Sequence, residues 1–258
     1  MAVLKLALAY DGTDFRGFAR QPGHRTVEGV LLDGLERVLG RRPSLSAGGR
    51  TDAGVHAEGQ VVSLEAEQDP RLVARALNGM LAPELVVRRA SRAPKGFDAR
   101  RSATARRYRY RIRTAEVPDP FTARYEWHRP GRYRPAPMRL AARHLRGAHD
   151  FASFCRPPKD GGSTVRTLRT LTISRGREVL DIGVRADGFL HQMVRSLVGT
   201  LVAVGEGRID PEAIPAILSA RDRSAAGPVA PPDGLTLVSV TYGPHPRTAA
   251  GSGLSGER

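Results

Sequence analysis

The feature of this sequence that most constrains its fold is a strand in which aromatic and basic side chains alternate. Between Thr104 and Arg113, the side chains of Tyr108, Tyr110 and Ile112 fall on one face of an extended chain, and arginines fall on the other. An aromatic ring on a sheet face beside a row of arginines is a layout on which an unstacked nucleic-acid base can lie. An ordinary core tyrosine gives the same pattern, so the strand alone leaves both interpretations open.

Patterns typical of strands and helices continue on both sides of this strand. Strands are predicted at residues 3–10, 60–65, 85–90, 168–174, 179–184 and 235–242, with a further short strand possible at 44–47. Helices are predicted between Thr26 and Gly40, from Asp69-Pro70 onward, and at residues 138–145, 190–205 and 211–218. The similar order of elements in the two halves predicts an α+β fold of two similar domains, residues 1–102 and 103–245. Residues 246–258 lack apolar periodicity and are expected to form a disordered tail.

The charge of the chain points to a polyanionic partner. Its 258 residues include 41 lysines and arginines against 26 acidic residues, a formal net charge of +15. Such a surplus makes nucleic acid the first candidate partner. Between Arg88 and Arg113 the chain carries eleven basic residues against the single acid Asp98, so the charge is also concentrated locally.

Composition also indicates a compartment. The single cysteine, Cys155, cannot form an internal disulfide, and no apolar run approaches the roughly 20 residues that a membrane span requires. The N-terminal residues do not have the pattern of a signal peptide. We therefore expect a soluble, cytoplasmic protein that does not associate with a membrane.

The strongest candidate for chemistry lies in the loop at residues 48–57. It places the carboxylate of Asp52 among glycines and other small residues, two positions after Arg50, where a flat substrate could approach. By composition alone, such a loop is more often a turn in which the aspartate bonds only its own backbone. No second carboxylate stands out as catalytic, which disfavours a retaining glycosidase, and the glycines match neither a Walker loop nor a dinucleotide-binding loop.

Two further residues invite a structural or a functional interpretation. Arg195 is a charge among apolar residues on the predicted helix at 190–205, so either an acid pairs with it or its side chain extends to the surface. His56 has no cysteine or histidine partner at metal-site spacing, so a structural hydrogen-bonding role is favoured over metal binding.

Separated motifs extend over nearly the whole chain, up to about Tyr242. They are Tyr10-Asp11-Gly12-Thr13-Asp14-Phe15, Gly49-Arg50-Thr51-Asp52-Ala53-Gly54-Val55-His56-Ala57, Phe97-Asp98-Ala99-Arg100, Ser102-Ala103-Thr104-Ala105-Arg106-Arg107-Tyr108-Arg109-Tyr110, His191-Gln192-Met193-Val194-Arg195 and Asp233-Gly234-Leu235. Through these motifs the chain resembles the TruA family of tRNA pseudouridine synthases.

The resemblance implies an isomerase that converts uridine to pseudouridine at positions 38, 39 and 40 of the tRNA anticodon stem-loop, without a cofactor or metal. It implies that Asp52 is the nucleophile, that Tyr108 stacks on the target base, and that Arg195 pairs with Asp52. Arg50 would help to open the site when the nucleotide flips in, and Leu235 would pad the pocket. RNA contacts are expected from Phe97, Asp98, Ala99, Arg100 and Arg101, and from Arg107 and Arg109.

The resemblance also implies a homodimer, in which one tRNA lies across two subunits. The expected architecture is a pair of ferredoxin/RRM-like domains, each a mostly antiparallel sheet with helices on one face, joined around a central basic cleft. Two alternatives stay open: a non-catalytic RNA-binding protein, and a pseudouridine synthase that acts on another RNA.

Overall fold

The computed structural model describes residues 2–158 and 161–243, so the expected disordered tail at 246–258 lies outside the described residues. The described chain forms one mixed sheet with helices. Its strands are β1 (Val3–Tyr10), β2 (Ser46–Ala47), β3 (His56–Glu65), β4 (Leu85–Ala93), β5 (Ala103–Arg113), β6 (Trp127–His128), β7 (Gly147–Asp150), β8 (Val165–Arg175), β9 (Val179–Ala186) and β10 (Leu235–Tyr242). The α-helices are α1 (Val27–Leu39), α2 (Pro70–Leu81), α3 (Pro135–His144), α4 (Met193–Gly205) and α5 (Ile214–Ala220).

The strand order is β4-β1-β3-β10-β5-β9-β8-β7, with β2 added to β3 and β6 added to β5. Neighbouring strands are antiparallel except for β10 with β3 and β5 with β6. The prediction of an α+β fold with mostly antiparallel pairing is therefore confirmed. The two halves of the chain do not form separate sheets, however, because β10 pairs with β3 on one side and with β5 on the other.

Local signals explain where the first two helices begin. The hydroxyl of Thr26 accepts a hydrogen bond from the backbone N–H of Gly29, and the helix ends at Gly40, whose φ is 70°. The carboxylate of Asp69 accepts hydrogen bonds from two backbone N–H groups at the start of α2, and Pro70 occupies the first turn. No helix in the described ranges is both long and apolar enough to cross a membrane.

The apolar face of β5 lies in the core, as its alternation predicts. Tyr108, Tyr110 and Ile112 are buried in a large cluster that all five helices share with one face of the sheet. The arginines between them lie on the opposite face and are at least partly exposed.

The structure corrects several boundaries. The helix predicted from residue 190 begins at Met193, because Gln192 has a left-handed conformation with φ of 61° that a helix cannot include. The helix predicted at 211–218 is divided into a 3-10 turn at Pro211–Ala213 and α5. The sequence did not indicate β6 or β7, which are short and carry no apolar alternation.

Candidate active site

A cleft of about 460 Å³ opens where the two halves of the sheet meet. The edge of β3 pairs with β10 only at His56 and Ala57, and with β2 only at Ser63 and Val62. The loop at residues 48–52 follows β2 directly and forms one wall of the cleft. The other walls come from β5, from residues 188–195 and from the start of β10.

Buried polar side chains hold this loop in place. The fully buried amide of Gln60 donates a hydrogen bond to the carbonyl of Gly49 and accepts one from its N–H. The hydroxyls of Tyr10 and Thr51 share a hydrogen bond of 2.8 Å, and burial raises the pKa of Tyr10 to about 12, so its phenol stays neutral. The backbone on both sides of residue 50 is therefore fixed.

Asp52 begins a tight turn, but its carboxylate is free for other contacts. The backbone carbonyl of Asp52 accepts a hydrogen bond from the N–H of Val55, and the intervening Gly54 has φ of 78°, as a type II turn requires. The carboxylate itself faces Arg195 and His191. The loop is thus a turn in its backbone and a charged site in its side chain.

A different side chain lies next to each carboxylate oxygen of Asp52. Nη1 of Arg195 lies 3.4 Å from Oδ2, and Nε2 of His191 lies 3.5 Å from Oδ1. The Arg195 side chain is only 15% exposed, and its Nε donates a hydrogen bond of 2.7 Å to the carbonyl of Ala230. The structure therefore gives Arg195 the acidic partner that its apolar surroundings require, and does not direct the side chain into solvent.

Tyr108 and Leu235 form apolar surface in the same cleft. The Tyr108 ring is 6% exposed and meets Phe189 edge to face, with ring centres 5.1 Å apart. Burial raises the pKa of the Tyr108 phenol, which therefore stays protonated. Leu235, 4% exposed, lines the cleft as well, so four distant segments bring Asp52, Tyr108, Arg195 and Leu235 together.

Arginines surround the cleft in two different states. The side chains of Arg50 and Arg100 are exposed, and within the described residues neither makes an ion pair or a side-chain hydrogen bond. Arg106 is engaged instead: it donates hydrogen bonds to the carbonyls of Gly48, Asp187 and Arg100, and burial lowers its pKa. Arg50 and Arg100 thus have charge to offer a ligand.

The segment at residues 97–101 is divided between buried and exposed side chains. Phe97 and Ala99 are buried and do not face solvent. Asp98 is partly desolvated, but hydrogen bonds from the backbone of Arg101, from Ser46 and from the backbone of Arg100 lower its pKa overall. Only Arg100 and Arg101 present exposed side chains, so the first three residues shape the segment and the two arginines are its accessible part.

Arg107 and Arg109 do not lie in the cleft. Because side chains alternate along β5, both point to the face of the sheet opposite Tyr108, where they line a groove of about 360 Å³. Arg109 forms an ion pair of 2.5 Å with Glu58 there. Any contact of these arginines with RNA would be separate from the cleft.

His56 has the structural role that its isolation from other metal-ligating residues favours. Its Nδ1 accepts a hydrogen bond of 3.0 Å from the N–H of Gly12, and its Nε2 lies 3.1 Å from the carbonyl of Asp233. Desolvation lowers the pKa of His56, which favours the neutral ring. Within the described ranges, no group of three or more histidine, cysteine or acidic residues is arranged to hold a metal ion.

Sequence reasoning missed several residues of the cleft, namely Arg106, Arg166, Phe189 and His191. For Arg106 a signal was present, because it shares the face of Tyr108 and is therefore a charge on the apolar face of β5. His191 was missed because the helix was predicted to begin at residue 190. In the structure His191 precedes α4, and its ring faces the carboxylate of Asp52.

Comparison with known proteins gives a consistent result. A family model described as tRNA pseudouridine synthase matches residues 6–100 and 141–243. The chain is 49% identical over 255 residues to a tRNA pseudouridine synthase A of Frankia casuarinae, covering 96% of this chain and 92% of the relative. It is 40% identical to the tRNA pseudouridine synthase A of Geotalea daltonii, covering 94% and 100%.

Solved structures are also similar, though weakly. Among them is an archaeal box H/ACA complex of Nop10 and Cbf5, matched with a TM-score of 0.35 and 13% identity over 78% of this chain and 44% of that chain. A TM-score this low does not establish a shared fold.

Proposed function

Because the chain belongs to the tRNA pseudouridine synthase family, we propose that it modifies uridines 38, 39 and 40 of the anticodon stem-loop, with Asp52 as the nucleophile. The reaction itself, isomerisation of uridine to pseudouridine in tRNA, is the activity of the family. The observation that carries the proposal for Asp52 is its carboxylate in the cleft, between Arg195 and His191 and in the same cleft as Tyr108.

The chemistry explains why these residue types are needed. Pseudouridine formation breaks the bond between N1 of uracil and C1′ of the ribose, rotates the base and rejoins it through C5. The detached base must stay trapped between these steps. Tyr108 would stack on it, Leu235 would pad its edge, and the guanidinium of Arg195 would hold the Asp52 carboxylate in position for attack.

Access to a uridine within a stem requires that the nucleotide flip out, at a cost of about a few kcal/mol. Contacts between arginines and the flanking phosphates would offset that cost. Arg50, Arg100 and Arg101 are suited to this role because their side chains are exposed and Arg50 and Arg100 lie at the cleft. Phe97, Asp98 and Ala99 would support the two arginines that follow them, and Arg107 and Arg109 could contact only RNA that reaches the opposite face.

The proposal includes the domain organisation and the oligomeric state of the protein. We assign residues 1–102 and 103–245 to two ferredoxin/RRM-like domains, which share the continuous sheet and enclose the basic cleft between them. The proposed enzyme is a homodimer, works in the cytoplasm and uses no cofactor or metal.

The decisive test replaces Asp52 with asparagine, which keeps the size of the side chain and removes its charge. We expect Asp52→Asn to bind tRNA with nearly unchanged affinity and to form no pseudouridine at positions 38 to 40, measured by mapping the modified nucleotides. The control is Asp33→Asn, since Asp33 is an exposed acid on α1. If Asp52→Asn lost binding and catalysis equally, the assigned role would be wrong.

A second assay separates the two alternatives. Tritium release from C5-labelled uridine, measured with tRNA and with ribosomal RNA transcripts, reports which RNA is modified. Release from ribosomal RNA alone would contradict the proposed substrate, and binding without release from either RNA would indicate a non-catalytic protein.

A further inference from the structure

The two side chains whose nitrogen atoms lie next to the Asp52 carboxylate, Arg195 and His191, differ in how firmly they are held. Arg195 is mostly buried and is anchored by its hydrogen bond to Ala230. The His191 side chain is 49% exposed, and Asp52 is the one polar partner of its ring within the described residues. One oxygen of the carboxylate therefore faces an anchored guanidinium, whereas the other faces a ring that is half exposed to solvent.

The backbone places this ring at the cleft and not on a helix surface. Gln192 has a positive φ of 61°, so the chain turns sharply just before α4 begins at Met193. The carbonyl of His191 accepts a hydrogen bond of 3.1 Å from the N–H of Arg156, which fixes the turn from the other side. A non-glycine residue in the left-handed region is uncommon and frequently marks a functional site.

The isomerisation contains a proton transfer that the nucleophile does not explain. When C5 of the detached uracil bonds to C1′, the ring holds an N1=C6 double bond, and C5 still carries its hydrogen. A base must take that proton. The C5–H electron pair then becomes the C5=C6 double bond, the N1=C6 pair moves onto N1, and N1 takes up a proton, which gives pseudouridine.

We propose that His191 is the base that takes the C5 proton. This inference rests on the proposed function of the cleft. Nε2 of His191 lies 3.5 Å from Oδ1 of Asp52, so the ring adjoins the place where the reacting ribose and base must meet that carboxylate. Imidazole accepts protons readily near neutral pH, and the exposure of this ring lets it pass the proton on to water.

Other groups in the cleft are less suited to this step. Burial keeps the Tyr108 phenol protonated, so it has no free basic form near neutral pH. Arg50, Arg100 and Arg195 carry charge at all relevant pH values and cannot accept a proton. Asp52 is the remaining acceptor, but Arg195 holds one of its oxygens.

The test compares His191→Gln with His24→Gln, whose exposed histidine lies on a loop that does not line the cleft. Three tRNA substrates are used in single-turnover reactions, carrying uridine, C5-deuterated uridine or 5-fluorouridine at the target positions. With 5-fluorouridine no C5 proton exists, so the reaction can proceed only to the rejoined base.

We expect His191→Gln to slow pseudouridine formation about 100-fold to 10,000-fold, the usual contribution of a general base, and to show a larger deuterium isotope effect than the wild type. It should rearrange 5-fluorouridine at the wild-type rate, and His24→Gln should match the wild type throughout.

Three results would overturn the inference. His191→Gln could retain the wild-type rate, it could lose 5-fluorouridine rearrangement to the same extent, or Tyr108→Phe could show the uridine-specific defect in its place. A wild-type protein that makes no pseudouridine would instead refute the proposed function, so the two failures are distinguishable.

Discussion

The turn that presents Asp52 depends on Gly54, and replacing Gly54 with alanine tests how the loop is held. Gly54 has φ of 78°, and a Cβ atom there would lie 2.8 Å from Cγ of Pro232. Pro232 is two residues beyond Ala230, whose carbonyl anchors Arg195. The substitution therefore strains the turn and pushes on the segment that positions the partner of Asp52.

The chain offers a matched control for each part of this effect. Gly96 occupies the same position in a similar turn, closed by a hydrogen bond from the N–H of Phe97 to the carbonyl of Pro94, with φ of 81° and open space around its Cβ position. Gly79 is an exposed glycine in α2, also with open space and without a positive φ. Gly96→Ala isolates the backbone strain, and Gly79→Ala has neither strain nor contact.

The magnitudes follow from these differences. Alanine in the left-handed region costs about 1–2 kcal/mol, partly offset by about 0.4–1 kcal/mol from the stiffer unfolded chain, so Gly96→Ala should lose about 1 kcal/mol. Gly54→Ala should lose a further ~1–3 kcal/mol, because the Pro232 ring must move. At about 2–4 °C per kcal/mol, the melting temperature should fall by ~2–4 °C for Gly96→Ala and by ~4–16 °C for Gly54→Ala. Gly79→Ala should be slightly stabilising.

Activity should separate the variants more sharply than stability. A displacement of about 1 Å at a reacting group can cost on the order of 100-fold in rate, so Gly54→Ala should lose that much tritium release at a temperature where it is fully folded. Gly79→Ala should keep the wild-type rate. A Gly54→Ala variant that melts no lower than Gly96→Ala, or that melts lower but releases tritium at the wild-type rate, would contradict this role of Gly54.

Three further outcomes are expected. Arg100→Ala should weaken tRNA binding and reduce the slope of log affinity against log salt concentration by about one unit. Arg107→Ala, on the opposite face, should leave that slope unchanged. Equal slopes for the two variants would contradict the placement of the RNA at the cleft. Desolvation lowers the pKa of His56 in the folded state, so the unfolded state binds the proton more readily. The stability of the wild type should therefore fall as pH drops through about 6.5, and that of His56→Gln should fall less. An equal change in melting temperature between pH 7.5 and pH 5.5 for the two proteins would refute this. Thr26→Ala should cost about 1 kcal/mol of stability by removing the cap of α1, without changing activity in the tritium assay.

Much of the fold follows from local sequence signals. The cap at Thr26 and the left-handed Gly40 mark both ends of α1, and the alternation along β5 gives the buried and exposed faces correctly. The start of α4 could not be predicted in the same way, because Gln192 is not a residue that usually adopts a positive φ. Its conformation depends on the tertiary structure around the cleft.

The site was less predictable than the fold. Composition shows that Arg195 needs a partner, but Asp52 lies 143 positions away in the sequence, so no local pattern reveals the pair. The face occupied by Arg107 was predictable, since alternation places it opposite Tyr108 and away from the base that Tyr108 would hold. The position of His191 depended on a turn that sequence patterns did not reveal.

The central place of β10 has a consequence for the order in which the protein becomes complete. Residues 235–242 are the last strand of the described chain, yet they lie in the middle of the sheet, between β3 and β5. During synthesis, the segments that carry Asp52 and Tyr108 leave the ribosome long before this strand, and the edges of β3 and β5 that it will occupy have no partner until then. A nascent or truncated chain that stops short of Leu235 therefore contains the proposed nucleophile and the stacking ring but cannot join the two halves of the sheet. The proposed activity on RNA therefore requires that synthesis has passed β10.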